Sequence, residues 1–134
     1  MPAGPDALTP DALEFLVERH LATYTSMRRD GTPHVTAVGF TWDPASGLAR
    51  VITGGGSQKA RNAREGSLAA VCQVDGGRWL TLEGVARTTD DPARVAEAVE
   101  RYAARYRQPR VNPERVAIEI EVTRVIGSRR LFGG

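Results

Sequence analysis

Apolar and polar positions along this chain repeat with two different periods. Leu13, Leu16 and Val17 recur at helical spacing after the start Leu8-Thr9-Pro10-Asp11. There Thr9 can cap, Pro10 suits the first helical position and Leu8 can staple to Leu13. A longer stripe at spacings of three and four, Val95, Ala98, Val99, Tyr102 and Tyr106, predicts the longest helix, from Asp91-Pro92 to about Arg107. Between the helices lie short apolar runs that predict strands at Leu21 to Arg28, His34 to Trp42, Leu48 to Thr53, Leu68 to Val74 and Arg78 to Thr88. A last strand, Arg115 to Ile126, alternates most clearly, with Val116, Ile118, Ile120 and Val122 on one face. Arg29-Asp30-Gly31-Thr32 and Asp75-Gly76-Gly77 are hairpin signals, Asp43-Pro44-Ala45-Ser46-Gly47 is a turn, and Pro109 and Pro113 mark a loop.

The links between the early strands are too short for βαβ crossovers. The expected fold is therefore mainly β (α+β): a six-stranded antiparallel barrel-like sheet with peripheral helices, two of the three helices short. The 134 residues are expected to form a single domain, 1–134, with residues 1–7 as a flexible lead. No repeat or low-complexity segment interrupts it.

Composition narrows the picture. Hydrophobic residues make up 41% and charged residues 25%, ordinary for a globular protein, and no apolar run approaches membrane-spanning length. The opening Met1-Pro2-Ala3-Gly4-Pro5-Asp6 lacks a basic region and an apolar signal core, so the expectation is a cytoplasmic protein with no membrane partner. The lone Cys72 excludes an intrachain disulfide and is expected as a buried, inert thiol. The net charge of +2 is mild, with the arginines scattered among 16 acids, which argues against a nucleic-acid partner.

One compositional oddity carries chemistry. Of the 18 Lys and Arg residues only Lys59 is a lysine. It lies in Thr53-Gly54-Gly55-Gly56-Ser57-Gln58-Lys59-Ala60-Arg61-Asn62, between a strand and a short helix expected over about Ser57 to Arg64 and ended by Gly66. The run is neither a P-loop nor a dinucleotide fingerprint. Local sequence divides evenly between a plain turn with Ser57 as N-cap and an anion site using hydroxyl, ammonium and free N–H groups. Arg61 and Arg64 share the helix, where they meet either further negative charge or solvent. His20, placed at a helix end, and His34, at a strand start, have no second ligand at metal spacing, so no metal is expected. No nucleophile motif appears. Glu83 is either an arginine's structural partner or a site residue, with structure favoured. Trp42 is expected to pack at a strand end, and Trp79 is either core or a wall for a flat ligand.

Several segments together carry a family resemblance. Asp30-Gly31-Thr32-Pro33-His34-Val35, Gly55-Gly56-Ser57-Gln58-Lys59-Ala60, Gln73-Val74-Asp75-Gly76 and Arg78-Trp79-Leu80-Thr81-Leu82-Glu83-Gly84 resemble, in that order, the flavin/deazaflavin oxidoreductases of the pyridoxamine-phosphate-oxidase-like superfamily. The nearest branch is the F-420-dependent one, including its biliverdin reductases. The resemblance, from about Leu8 to Ser128, implies a split β-barrel and a homodimer with cofactor at the subunit interface. It implies that Ser57 and Lys59 hold the cofactor phosphate, with Gln58, Arg61 and Asn62 nearby. The tricyclic ring would lie along Thr36-Ala37-Val38 and beside Ile52-Thr53, and Arg78 and Trp79 of the partner subunit would close the site. The implied chemistry is hydride transfer from reduced coenzyme F-420 to an electron-poor small-molecule acceptor, biliverdin being the most specific expectation; no catalytic side chain is assigned. FMN as cofactor and a non-catalytic F-420 or tetrapyrrole binder stay open.

Overall fold

The computed structural model describes residues 3–132. Its elements are α1 (Pro10–Val17), β1 (Ala22–Met27), β2 (Pro33–Val38), β3 (Phe40–Asp43), β4 (Leu48–Gly54), α2 (Gln58–Asn62), β5 (Ser67–Asp75), β6 (Arg78–Thr89), α3 (Pro92–Arg105) and β7 (Arg115–Gly127). All strand pairings are antiparallel, in one sheet of order β2-β1-β5-β6-β7-β4-β3. None of the described helices is long and apolar enough to cross a membrane.

The expected strand His34 to Trp42 is two strands, so the sheet has seven strands and not six. The break is Gly39. β2 and β3 lie at opposite edges of the sheet, yet one residue separates them, so their ends stand within about 7 Å. The sheet must therefore curl until its edges meet, which makes it a barrel. A Cβ on Gly39 would come within 3.0 Å of the rings of Tyr102 and Tyr106, so this corner accepts only glycine without movement. Tyr106 locks the corner: its hydroxyl accepts from the Phe40 N–H at 3.2 Å and donates to the His20 carbonyl at 2.6 Å.

The barrel interior is filled by alternate positions of the strands, among them Tyr24, Phe40, Val51, Val71, Leu80, Leu82, Ile118 and Ile120. On β7 the expected face, Val116, Ile118, Ile120 and Val122, is the buried one. One end is plugged by polar groups. Gln73, fully buried, donates to the Phe15 carbonyl at 2.8 Å and accepts from Arg105 at 2.6 Å, while Arg105 also reaches the carbonyls of Glu18 and Phe40. A second buried pair, Asp43 and Arg50 at 3.0 Å, ties β3 to β4 and is joined by Arg101 of α3 at 3.2 Å.

Three local expectations shift. Thr9 caps α1 as expected, but the helix buries Ala12, Phe15 and Leu16, and Val17 is 71% exposed. The i, i+3, i+4 stripe is displaced by one residue, and the chain turns extended at Glu18 before Val17 can face inward. His20 consequently lies beyond the helix, bonded to Glu18 at 3.0 Å. Cys72 is only partly buried, because Val71 and Gln73, its neighbours on β5, take the interior face. Of the lead 1–7, residues 1–2 lie outside the described residues; Pro5–Ala7 form a 3-10 turn, and the Ala3 carbonyl accepts from the Val125 N–H at 2.8 Å.

Candidate cofactor site

The glycine run leaves the end of β4 and turns into α2. It is held from outside: the Gly55 N–H donates to the Glu114 carbonyl at 2.8 Å, and a Cβ on Gly55 would come within 3.2 Å of that oxygen. At Gly56 nothing lies within 4 Å of an added Cβ, so the tip of the turn is open.

α2 has only five residues, Gln58–Asn62, shorter than expected. So short a helix sums few peptide dipoles, and side chains must supply most of any anion affinity. Ser57 serves as the cap of α2. Its Oγ accepts from the Ala60 N–H at 3.2 Å and from the Thr53 hydroxyl at 3.0 Å. Both lone pairs are then engaged, and the hydroxyl hydrogen has no acceptor among the described residues. Lys59 is half-buried, with no hydrogen-bond or ion-pair partner for its ammonium among the described residues, and burial pulls its pKa below the ordinary lysine range.

Lys59 projects into a cleft of about 280 Å³. Its lining includes Ala37 and Val38 of β2, Ile52 and Thr53 of β4, and Lys59. The structure thus brings together residues expected on separate segments. Thr36, the next residue of β2, has a buried hydroxyl with no partner. The remaining α2 residues turn elsewhere. Gln58, Arg61 and Asn62 line a second cleft of about 680 Å³, together with Arg28, Arg29 and Arg64. Asn62 donates to Ser26 at 3.0 Å and accepts from Gln58 at 2.6 Å, so it ties α2 to β1. Arg61 and Arg64 fold back onto the carbonyls of Gly56 and Gly55, at 2.7 and 3.1 Å. These bonds occupy the run's acceptors.

Arg78 and Trp79 line neither cleft. Arg78 lies over the Phe15 ring at 4.5 Å and binds both Glu18 oxygens, at 2.8 and 2.9 Å, and Asp75. The Arg78 and His20 bonds hold the Glu18 carboxyl well down, at about 2. Glu18, His20 and Asp75 bring their ligand atoms within 4.8 Å of one another, but the Arg78 guanidinium already occupies that cluster. Trp79 is 37% exposed on the outer surface of the sheet. Glu83 stands 3.8 Å from Arg124, in keeping with the structural reading.

Pattern reasoning missed Gly39, Tyr102, Pro109, Asn112 and Arg115, which complete the smaller cleft. Arg115 arrives through strand register, paired opposite Gly54. Tyr102 was expected as core and instead has one face on the cleft. No local signal marks either residue.

A curled antiparallel sheet closed at one glycine, with an anion-ready turn at the end of one strand, defines the split β-barrel class of cofactor-binding proteins. The chain belongs to the pyridoxamine 5'-phosphate oxidase family, whose family model matches residues 8–129. It is 58% identical over 125 residues to an F420H(2)-dependent biliverdin reductase of Mycobacterium tuberculosis (strain CDC 1551 / Oshkosh), covering 93% of this chain and 91% of that protein. A solved F420 reductase is 26% identical with a TM-score of 0.66, over 88% of this chain and 98% of that one. A conserved hypothetical protein from Mycobacterium tuberculosis, 24% identical over 91% of this chain and 85% of its own, shares the fold with a TM-score of 0.74.

Proposed function

We propose that this chain is a cytoplasmic oxidoreductase that uses reduced coenzyme F-420 to reduce an electron-poor acceptor, with biliverdin, converted to bilirubin, as that acceptor. The observation that carries the reading is the cleft beside the glycine run: Lys59 lines it with a half-buried ammonium that has no partner among the described residues, and Ser57, whose Oγ caps α2, follows the open turn at Gly56. These groups suit a phosphate. When bound, the deazaflavin supplies the hydride. In this reading Ser57 and Lys59 hold the phosphate, while the backbone of Thr36-Ala37-Val38 and the side of Ile52-Thr53 position the flat ring. Such chemistry needs orientation more than an acid–base pair, and a site without a triad is suited to it.

Arg28, Arg29, Arg61 and Arg64 on the second cleft, against the single carboxylate Glu65, favour a cofactor with an acidic glutamyl tail over FMN. The outer face of the sheet also carries exposed apolar side chains, Val35, Leu68, Val85 and Ile126, with Leu68 at 72%. Leu68 and Val85 are cross-strand neighbours, and exposed apolar side chains on the sheet face of a soluble enzyme call for a cover. We take the cover to be a second copy, whose Arg78 and Trp79 would close the cleft of the first.

Fluorescence titration with F-420 and with FMN, followed by an absorbance assay of biliverdin reduction and a solution mass, tests the reading. Tight F-420 binding, turnover of biliverdin and a dimeric mass are expected. A protein that purifies with bound flavin and ignores F-420 would sink the deazaflavin assignment. F-420 binding without oxidation by any acceptor would make the protein a carrier.

A further inference from the structure

Resting on the reading of the smaller cleft as a ligand site, we propose that Arg115 and the side-chain amide of Asn112 form a second oxyanion-binding jaw facing Lys59 across it. Arg115 opens β7 directly opposite Gly54, the first glycine of the run, and the adjoining Glu114 carbonyl holds the Gly55 N–H at 2.8 Å. The arginine is therefore locked beside the turn that carries Ser57.

Charge supports the assignment. The cleft lining includes two cations, Lys59 and Arg115, and no Asp or Glu. Arg94, Arg101 and Arg124 each face a carboxylate on Glu119, Asp43 and Glu83, whereas Arg115 has no ion pair among the described residues. An anion entering the cleft would meet both positive charges.

The loop before β7 prepares the fork. The Arg115 Nη2 donates to the Arg110 carbonyl at 2.7 Å, which fixes the guanidinium and leaves its other N–H groups free. Asn112 accepts from the Arg115 N–H through its carbonyl at 3.1 Å, and from the Glu114 N–H through Oδ1 at 2.9 Å. Its Nδ2 is then the unused end, 3.8 Å from where a Gly54 Cβ would stand. Planar donors of this kind suit a phosphate or a carboxylate. The cofactor supplies a phosphate and, in the glutamyl tail of F-420, carboxylates, and the acceptor supplies carboxylates, so the jaw meets one oxyanion chemistry from cofactor or acceptor; a rise in Kd for F-420 with FMN unchanged would place it on the tail.

Arg115→Met keeps the stem and removes the charge, and Arg115→Lys keeps the charge without the fork. Both variants are compared with the unaltered protein for the Kd of F-420 and FMN, and for KM and kcat with biliverdin and its dimethyl ester. Thermal melts confirm folding. A jaw on the cofactor phosphate raises both Kd values for Arg115→Met about ten- to hundredfold and leaves acceptor KM unchanged. A jaw on the acceptor raises KM for biliverdin by a similar factor, spares the diester and leaves Kd flat. In either case Arg115→Lys recovers part of the loss. Turnover and Kd within twofold of the unaltered protein would overturn the proposal while leaving the functional reading intact. If the unaltered protein binds neither cofactor, the functional reading fails and calorimetry with inorganic pyrophosphate decides. Binding that Arg115→Met abolishes upholds the jaw; equal affinity, or none in either protein, rejects it.

Discussion

Replacing Lys59 with Ala isolates the chemistry of the glycine run. The ammonium is half-buried and has no partner among the described residues, so a ligand oxyanion would receive an unshared, charge-assisted hydrogen bond. Bonds of that kind contribute about 1.5–3 kcal/mol. Kd for F-420 should therefore rise about tenfold to 150-fold, at 1.4 kcal/mol per decade. Burial has already lowered the lysine pKa in the free protein. The charged form is thus penalised in the fold relative to the unfolded chain, and its removal should leave the melting temperature unchanged or slightly raised. Alanine also sustains α2. The sign of the pH dependence follows. An anion in the cleft raises the Lys59 pKa, so binding takes up a proton at alkaline pH, and affinity falls as pH rises through the lowered pKa of the free protein. The variant lacks this slope. Fluorescence titrations of both proteins from neutral to alkaline pH make the comparison. Equal Kd at neutral pH, or superimposed pH curves, would refute a phosphate role for Lys59, and a collapsed melting temperature would show that its role is structural.

Asp43→Asn should cost about 3–5 kcal/mol by thermal melt, since it strips the buried Arg50 of its counter-charge. Bonds from Ser46 and Arg50 hold the Asp43 carboxyl down at about 2. Its contribution is therefore complete above the ordinary carboxylate range and lost as pH falls toward about 2, a slope the variant should lack in acid denaturation. Tyr106→Phe removes the acceptor of the Phe40 N–H and the donor to the His20 carbonyl at the barrel corner. A loss of about 1–3 kcal/mol is expected in chemical denaturation; no change would mean that Gly39 alone sets the corner.

The legible parts of this protein were those set by near neighbours in the chain. Alternation along Arg115 to Ile126, the Thr9 cap, the Asp91-Pro92 start of α3 and the turns at Gly31, Gly47 and Gly76 follow from side-chain period, hydroxyl capping, the fixed φ of proline and the ease with which glycine takes positive φ. The one-residue displacement of the α1 stripe shows the limit of period alone, because Leu13 and Val17 are as apolar as the residues that were buried instead.

At the site, the composition of the run singled out Ser57 and Lys59 because glycines, a hydroxyl and an ammonium have few other joint uses. The sequence could not choose between cap and donor, since the answer depends on which lone pairs Thr53 and Ala60 occupy. It could not show that Gly39 divides a strand, because the two pieces differ only in the sheet edge each one joins. Nor could it seat Arg115 beside Gly54, a contact set by pairing across nearly half the chain. Local propensity and the run's chemistry were written residue by residue. The cleft itself arises only when a sheet bent at one glycine carries its far ends to the same place.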